Sequence, residues 1–551
     1  MKYFWKTILL AFVITAVTIL TLSPQQNTLA LPTTVYNGDP SNYRALLDNL
    51  QAGDTLMLMA GTYTEGLPII DRVATAVNPI IIAGPESGAR AVFTARSCCN
   101  TIEIRDSAYI EIYNLELDGQ NLSGVDAVKA GGNESTNWAH HITLENLYIH
   151  SHDNGQQTVG ISTKIPAWDW VIRRNIIDSA GTGLYLGNSN GNAPFVRGLI
   201  EGNLVVDTIG YNMQIKHQNP RPSIVAGTPM PTGDNVTIIR HNVFSKANNA
   251  STGGNARPNL LVGHWPLSGT GMNDGYEIYG NFFYDNPSGE PLFQGEGNIG
   301  LYDNLFINPN GDAVWIQPHN DVPREVRLFN NTAVTPNRAI YITGGHASYE
   351  QKVMGNAVFA ATPISAADQS NNVTDSYANA DNYLTNPFAA LGFLDLFPLT
   401  GTLTGAVLDN ASFNMFTDWD RDFNEYQHDG TLRGAYAIEG NNPGWLPQLE
   451  RKPLTPTGDN EISGTIMEGG MPLPNVALSG SGTNCTISDS SGNYSCFVAD
   501  GWSGTITPTQ FGYLFTPSSR NYTAVMADVS GEGYTAVNTL TNHVYLPLIV
   551  R

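Results

Sequence analysis

An asparagine recurs nine times along the middle of this chain, each time inside the same apolar pattern. The nine are Asn114, Asn146, Asn175, Asn203, Asn242, Asn281, Asn304, Asn331 and Asn356, spaced by 32, 29, 28, 39, 39, 23, 27 and 25 residues. Their surroundings read YIEIYNLEL, ITLENLYIH, WVIRRNIID and GLIEGNLVV, and so on to KVMGNAVFA. A short strand, an Asn at a bend and a second short strand per unit predict a solenoid, whose units bury their apolar faces only against neighbours. Asn suits the bend because it tolerates a left-handed backbone and its amide can bond the next coil. Nine in one register predict a continuous amide ladder.

This pattern resembles the right-handed parallel β-helix of pectate-lyase-like proteins, and the expected fold class is all-β. NYRALLDNLQAGD (42–54) reads as a short amphipathic helix that covers the first coil and protects its sheet edge. The opening AGDTLMLMAGTY resembles that of chondroitinase B and the β-helix alginate lyases. Coils are expected to about residue 360. DWDRDFNEYQHDGTLRGAYAIEG (418–440) resembles a closing segment and reads as a cap on the C-terminal edge. The β-helix with its caps is thus expected over 31–450, followed by a Pro-rich linker at 451–459. Residues 460–536 alternate strands and turns and resemble the carboxypeptidase-regulatory or transthyretin-like β-sandwich of exported enzymes. The apolar tail HVYLPLIVR, within 537–551, resembles a surface-retention tail; a last strand is the other reading.

Residues 1–30 read as a signal peptide: Lys2 and Lys6 flank an apolar stretch that ends near Thr28-Leu29-Ala30. The expectation is a secreted, extracellular protein, free of any membrane span once the leader is removed, held at the cell surface or released, and monomeric. In that compartment Cys485 and Cys496, either side of a Ser/Gly-rich turn, are expected to pair. Cys98 and Cys99 are adjacent; a strained bridge and free buried thiols both stay open. A net charge of −22 argues against nucleic acid as partner. It leaves room for a local basic groove.

Such a groove is suggested by the shorter strand of each coil. Aligned on the last apolar residue, these strands place Lys129, Lys164, Gly187, Lys216, Gly263, Gln294, Gln317 and Thr343 in one line. Lys164 and Lys216, two coils apart, would lie roughly 10 Å from each other, two strand spacings. Three long loops follow at 217–234, 247–258 and 263–275, and long loops on a rigid scaffold usually carry function. They would wall a cleft around Lys216, His217, Arg221, Arg257, His264 and Trp265. The expected partner is an acidic polysaccharide, bound by Lys129, Lys164, Arg221 and Arg257 with Trp265 stacking on a sugar face. The expected chemistry is β-elimination: Lys216 removes the proton beside a uronate carboxylate, cations hold the enolate, and His217 or His264 moves the second proton.

The lyase resemblance implies a catalytic Lys at the end of such a strand, and NMQIKHQ puts Lys216 there. It also implies an Arg on the next coil and acidic residues before the Lys that hold calcium; neither stands at the matching place. No cofactor is therefore certain, and Ca2+ through Asp118, Asp126 or Asp153 stays open. A polygalacturonase-like hydrolase wants paired Asp residues, which the coils lack. The Asp-Pro-His-Glu run of related epimerases is absent. A non-catalytic glycan-binding or adhesive rod is the other class, and long loops gathered on three coils favour an enzyme. Arg173, Glu201 and Arg240, two residues before the ladder Asn, read as a structural charge ladder.

Overall fold

The computed structural model describes residues 34–453 and, within 460–538, all but 475, 481–482, 487, 490, 499–500 and 511–512. The signal peptide, most of the linker and nearly all of the apolar tail lie outside the described residues.

Three long sheets of 15, 12 and 11 strands run side by side, and their strand pairings are all parallel. Each coil gives one strand to each sheet, as in Ser107–Tyr113, Leu115–Asp118 and Val128–Ala130. This is a right-handed parallel β-helix. Its interior is built of stacked rows. Ile112, Leu144, Ile172, Ile200, Ile239, Ile278, Leu301, Leu328 and Val353 occupy one register position on successive coils, all fully buried. Each such side chain contributes about 1.5–3 kcal/mol by leaving water. Alternation along each strand sends the intervening residues outward.

The asparagines split into two registers. From Asn175 onward each Asn is buried, and its backbone N–H and amide both donate to the Oδ1 of the Asn on the next coil. The pairs are Asn175–Asn203, Asn203–Asn242, Asn242–Asn281, Asn281–Asn304, Asn304–Asn331 and Asn331–Asn356. Asn372 continues the ladder beyond Asn356. The left-handed residue at these coils is the preceding one: Arg174, Gly202, His241, Gly280, Asp303, Asn330, Gly355 and Asn371. Asn114 and Asn146 are themselves left-handed, with φ of 59° and 55°, and stand one position earlier in register. The expected single line of nine is therefore a ladder that starts at Asn175, and Leu115 and Leu147 fill its place on the earlier coils. Both tasks, bending and bonding, suit Asn, so the residue type alone does not separate them.

The N-terminal helix is shorter than expected, Tyr43–Leu47, with Tyr43, Leu47 and the following Leu50 buried against the first coils. The closing segment differs more. It runs back along the outer face of the second sheet. There Leu384, Leu396, Phe397, Phe423 and Tyr436 pack against outward residues of successive coils, among them Phe359, Val334, Leu305, Phe282 and Val243. By residues 451 and 452 the chain reaches Arg174 and His241. The outer face of that sheet is apolar, so it needs such a cover.

Residues 460–538 carry a six-stranded sheet, antiparallel except where Asn460–Glu468 pairs in parallel with Tyr534–Asn538, and an antiparallel three-stranded sheet, around a separate core that includes Ile462, Tyr494, Cys496, Ile506 and Tyr534. Cys485 and Cys496 are bonded there. Cys98 and Cys99 are bonded to each other and exposed, not buried thiols. The charge ladder is present as Arg173–Glu145 and Arg240–Glu201, at 2.8 and 2.6 Å. Among the described residues no helix is long and apolar enough to cross a membrane.

Candidate functional site

The third sheet presents the lysines. In Val159–Thr163, Thr182–Leu186 and Met213–Ile215 the residues Ile161, Leu184 and Met213 point into the core, so Ser162, Tyr185 and Gln214 point out. Strand pairing fixes two outward rows. One holds Lys129, Ser162, Tyr185, Gln214, Leu261, Gln294, Trp315 and Tyr341. The other follows two residues later and holds Lys164, Gly187, Lys216, Gly263, Glu296, Gln317 and Thr343 by continuation of the same pairings.

Two members of the expected line thus move. Lys129 belongs to the neighbouring row, and Glu296, not Gln294, follows Gly263. Glu296 is an acid in a supposedly basic stripe. It is buried, and its carboxylate accepts the backbone N–H groups of His319, Asn320 and Asp321 at 2.9 Å each. Lys164 and Lys216 remain in one row, with Gly187 between them. Tyr185 links them: the Lys164 Nζ lies 2.9 Å from the centre of its ring and the Lys216 Nζ 5.8 Å. Such contacts hold an ammonium over an apolar surface.

Burial lowers Lys164 to about 7, the nearby Lys129 and Lys216 push the same way, and Asp126 opposes them. Burial also lowers Lys216, with Glu296 opposing. Asp126 is pinned by Val159 N–H at 3.0 Å, Ser162 Oγ at 2.9 Å and the Lys129 ammonium at 3.3 Å. The cluster therefore offers three amines, one of them near neutrality at physiological pH, on a neutral phenol.

Beyond Lys216 the His217 and His264 rings stack with centres 5.4 Å apart. His264 Nδ1 lies 2.7 Å from the Trp265 carbonyl oxygen, which makes that nitrogen a donor. His217 Nδ1 is buried without a hydrogen-bond partner among the described residues. Burial and the neighbouring His264 and Lys216 keep His217 below its usual value. Gly263 is required here: a Cβ on it would sit 2.4 Å from the His217 backbone nitrogen.

Other expected members are elsewhere. Trp265 is fully buried and stacks on Tyr276 at 4.6 Å, so it offers no face to a sugar. Arg221 is buried in an ion pair with Asp274 and donates to the carbonyls of Pro231 and Gly233; it staples its own loop and ties it to loop 263–275. Arg257 donates to Gly254 and Ala256 of its loop, and its charge is felt at Tyr211 and Lys246. The tip of loop 217–234 packs through Val225 and Met230 on Trp138, Trp168 and Val196. Its stem, with loops 247–258 and 263–275, still borders the third sheet. Tyr185 is the site residue the sequence reading passed over; its alternation with Leu184 and Leu186 marks it as outward.

The three aspartates suggested for calcium do not converge. Asp126 is held as above, Asp118 accepts from Gln120 at 2.9 Å, and Asp153 accepts from Asn249 at 3.0 Å. Among the described residues no three His, Cys, Asp or Glu side chains form a metal-binding group. The donor set does not fit the ion, and no step below is routed through it.

No family model and no curated protein matches this chain. Similar solved structures include the PL6-family alginate lyase AlyGC, at 13% identity and a TM-score of 0.41, over 62% of this chain and 51% of that one. Pectate lyase Pel9A matches at 13% and 0.40, over 75% and 98%. The A-module of the Azotobacter vinelandii mannuronan C-5 epimerase AlgE4 matches at 14% and 0.38, over 61% and 89%. The match to AlyGC thus spans about half the length of that chain.

Proposed function

We propose that this is a carbohydrate-active protein of the cell exterior that cleaves an acidic, uronate-containing polysaccharide by β-elimination. The observation that carries the reading is the Lys164–Tyr185–Lys216 arrangement on the outer face of the third sheet. An elimination needs a base that is free near the working pH and a positive charge beside the enolate. Lys164, lowered to about 7, fits the base. Lys216 and Lys129 fit the cationic role, since the charges of both are felt at Lys164. Tyr185 stays a neutral phenol, because burial raises it, and can donate a proton to the leaving oxygen. His217 and His264 border the site and serve as the alternative proton carriers.

This assignment moves the base from Lys216, the position implied by resemblance, to its neighbour two coils away. The test is formation of the unsaturated uronate, followed by ultraviolet absorbance, with pectate, alginate, chondroitin, heparin and ulvan as substrates. Lys164→Met is expected to lower the rate on the order of 100-fold or more. A second reading, a binding protein without activity, is favoured by the lysine row alone; it requires affinity for these polymers with no product from any of them.

A further inference from the structure

We propose a second carboxylate-binding subsite, built by Arg338, Trp315 and Tyr341, in line with the lysine site along the helix axis. Trp315 and Tyr341 continue the outward row of Tyr185 and Gln214. Trp315 is three coils beyond Gln214, roughly 14 Å at the spacing of paired strands. The intervening residues of that row, Leu261 and Gln294, are buried and uncharged. Glu296, in the adjoining row, has its charge compensated by three backbone N–H groups. Neither of these two rows therefore sets an uncompensated carboxylate between Lys216 and Arg338.

Arg338 is held for recognition. Its guanidinium lies 4.7 Å from the Trp315 ring centre and 4.8 Å from that of Tyr341. The buried Asp312 fixes all the directions: its Oδ2 accepts from Arg338 Nε at 2.9 Å and from Trp315 Nε1 at 2.7 Å, and pairs with Arg338 Nη2 at 2.8 Å. Its Oδ1 accepts the Arg338 backbone N–H at 3.0 Å. One edge of the guanidinium is thus committed. Its Nη1 has no hydrogen-bond partner among the described residues, and the side chain is 38% exposed. A planar fork with one edge anchored, rings against it and one edge free is suited to a carboxylate. Because the group is already ordered, binding loses little side-chain freedom. The ligand class is an oligomer of uronic acid long enough to reach from Lys216 to Arg338. The inference rests on the lysine site being an acidic-polysaccharide site.

The test is calorimetric titration of the full chain with uronate disaccharides and hexasaccharides of the galacturonate and mannuronate series. The wild-type protein is expected to bind a hexasaccharide at least about tenfold more tightly than the disaccharide. Arg338→Lys keeps a charge for Asp312 and removes the planar fork; Tyr341→Ala leaves the Asp312 pair intact. Both are expected to erase the gain for the hexasaccharide and leave the disaccharide unchanged. If Lys216→Met weakens hexasaccharide binding and neither of these variants does, the subsite is overturned and the lysine reading stands. If they weaken it and Lys164→Met and Lys216→Met do not, the subsite stands and the lysine reading falls. Absence of binding by any uronate oligomer overturns both.

Discussion

Single residues carry two separable tasks at each bend of this helix, and substitution distinguishes them. Asn242 accepts the backbone N–H and amide of Asn203 and donates to Ile200 and to Asn281, all in the interior. Asn242→Gly removes those bonds and strands a buried N–H, so it is expected to destabilise by about 2–3 kcal/mol in denaturant unfolding. Asn114 is left-handed and half-buried, and glycine adopts that conformation freely. Asn114→Gly is expected to stay within about 1 kcal/mol of the wild type. Equal losses at the two positions would contradict the two registers. The recurrence of Asn was legible in the sequence and correctly announced the coil, but two adjacent positions that both favour Asn look alike without the strand pairing. The lysine row slipped for a related reason. Aligning strands on their last apolar residue fails where small residues, Ala130 and Gly295, occupy the final inward position. Lys129 and Gln294 thereby enter the expected line, although both belong to the row two residues earlier. Arg221 and Trp265 were beyond reach, since a loop's return path depends on partners such as Asp274 and Tyr276 that no local pattern announces.

At the scale of elements, the closing segment is a strap whose end is fixed by a buried charged group. Lys452 donates to the carbonyls of Phe423 and Gly280 and lies 3.1 Å from His241 Nδ1, while His241 Nε2 meets Glu425 at 3.0 Å. With Lys452 donating to Nδ1, His241 is a neutral imidazole that carries its proton on Nε2. Burial and the Lys452 charge hold His241 below its ordinary value, and His241 and Lys452 hold Glu425 low against the effect of its burial. The unfolded chain therefore takes up these protons first as pH falls. The His241 part of this stabilisation is full above about pH 6.5, the unperturbed histidine value, and is lost on acidification. The melting temperature is expected to fall between pH 7 and pH 5, by less in His241→Gln than in the wild type. An equal fall in both would remove this triad from the account. Lys452→Met leaves Glu425 with a weaker set of partners in the interior and is expected to cost about 3 kcal/mol by denaturant unfolding. From the sequence, residues 418–440 read as a cap on the C-terminal edge of the helix. The sequence did not show that they run back along its flank, because the apolar outer face of the second sheet emerges only when coils are stacked.

For the whole molecule, the rigid helix sets rows of side chains at fixed spacing, and the third sheet turns one row pair into a candidate site. The fold supplies position; the chemistry depends on which side chains stand in those rows. If Lys164 is the base, the rate of elimination rises with pH through about 7, the value that burial and neighbouring lysines give it. The most direct test of the central claim is therefore the pH dependence of unsaturated-uronate formation, measured for the wild type, Lys164→Met and Lys216→Met on whichever acidic polymer is cleaved. The account expects a rising limb near pH 7 that disappears with Lys164, and a lowered rate with the limb kept but moved to higher pH when Lys216 is replaced, since the Lys216 charge helps to lower Lys164. A limb that persists without Lys164 and vanishes without Lys216 would return the base to Lys216. No unsaturated product from any uronate polymer would contradict the elimination itself.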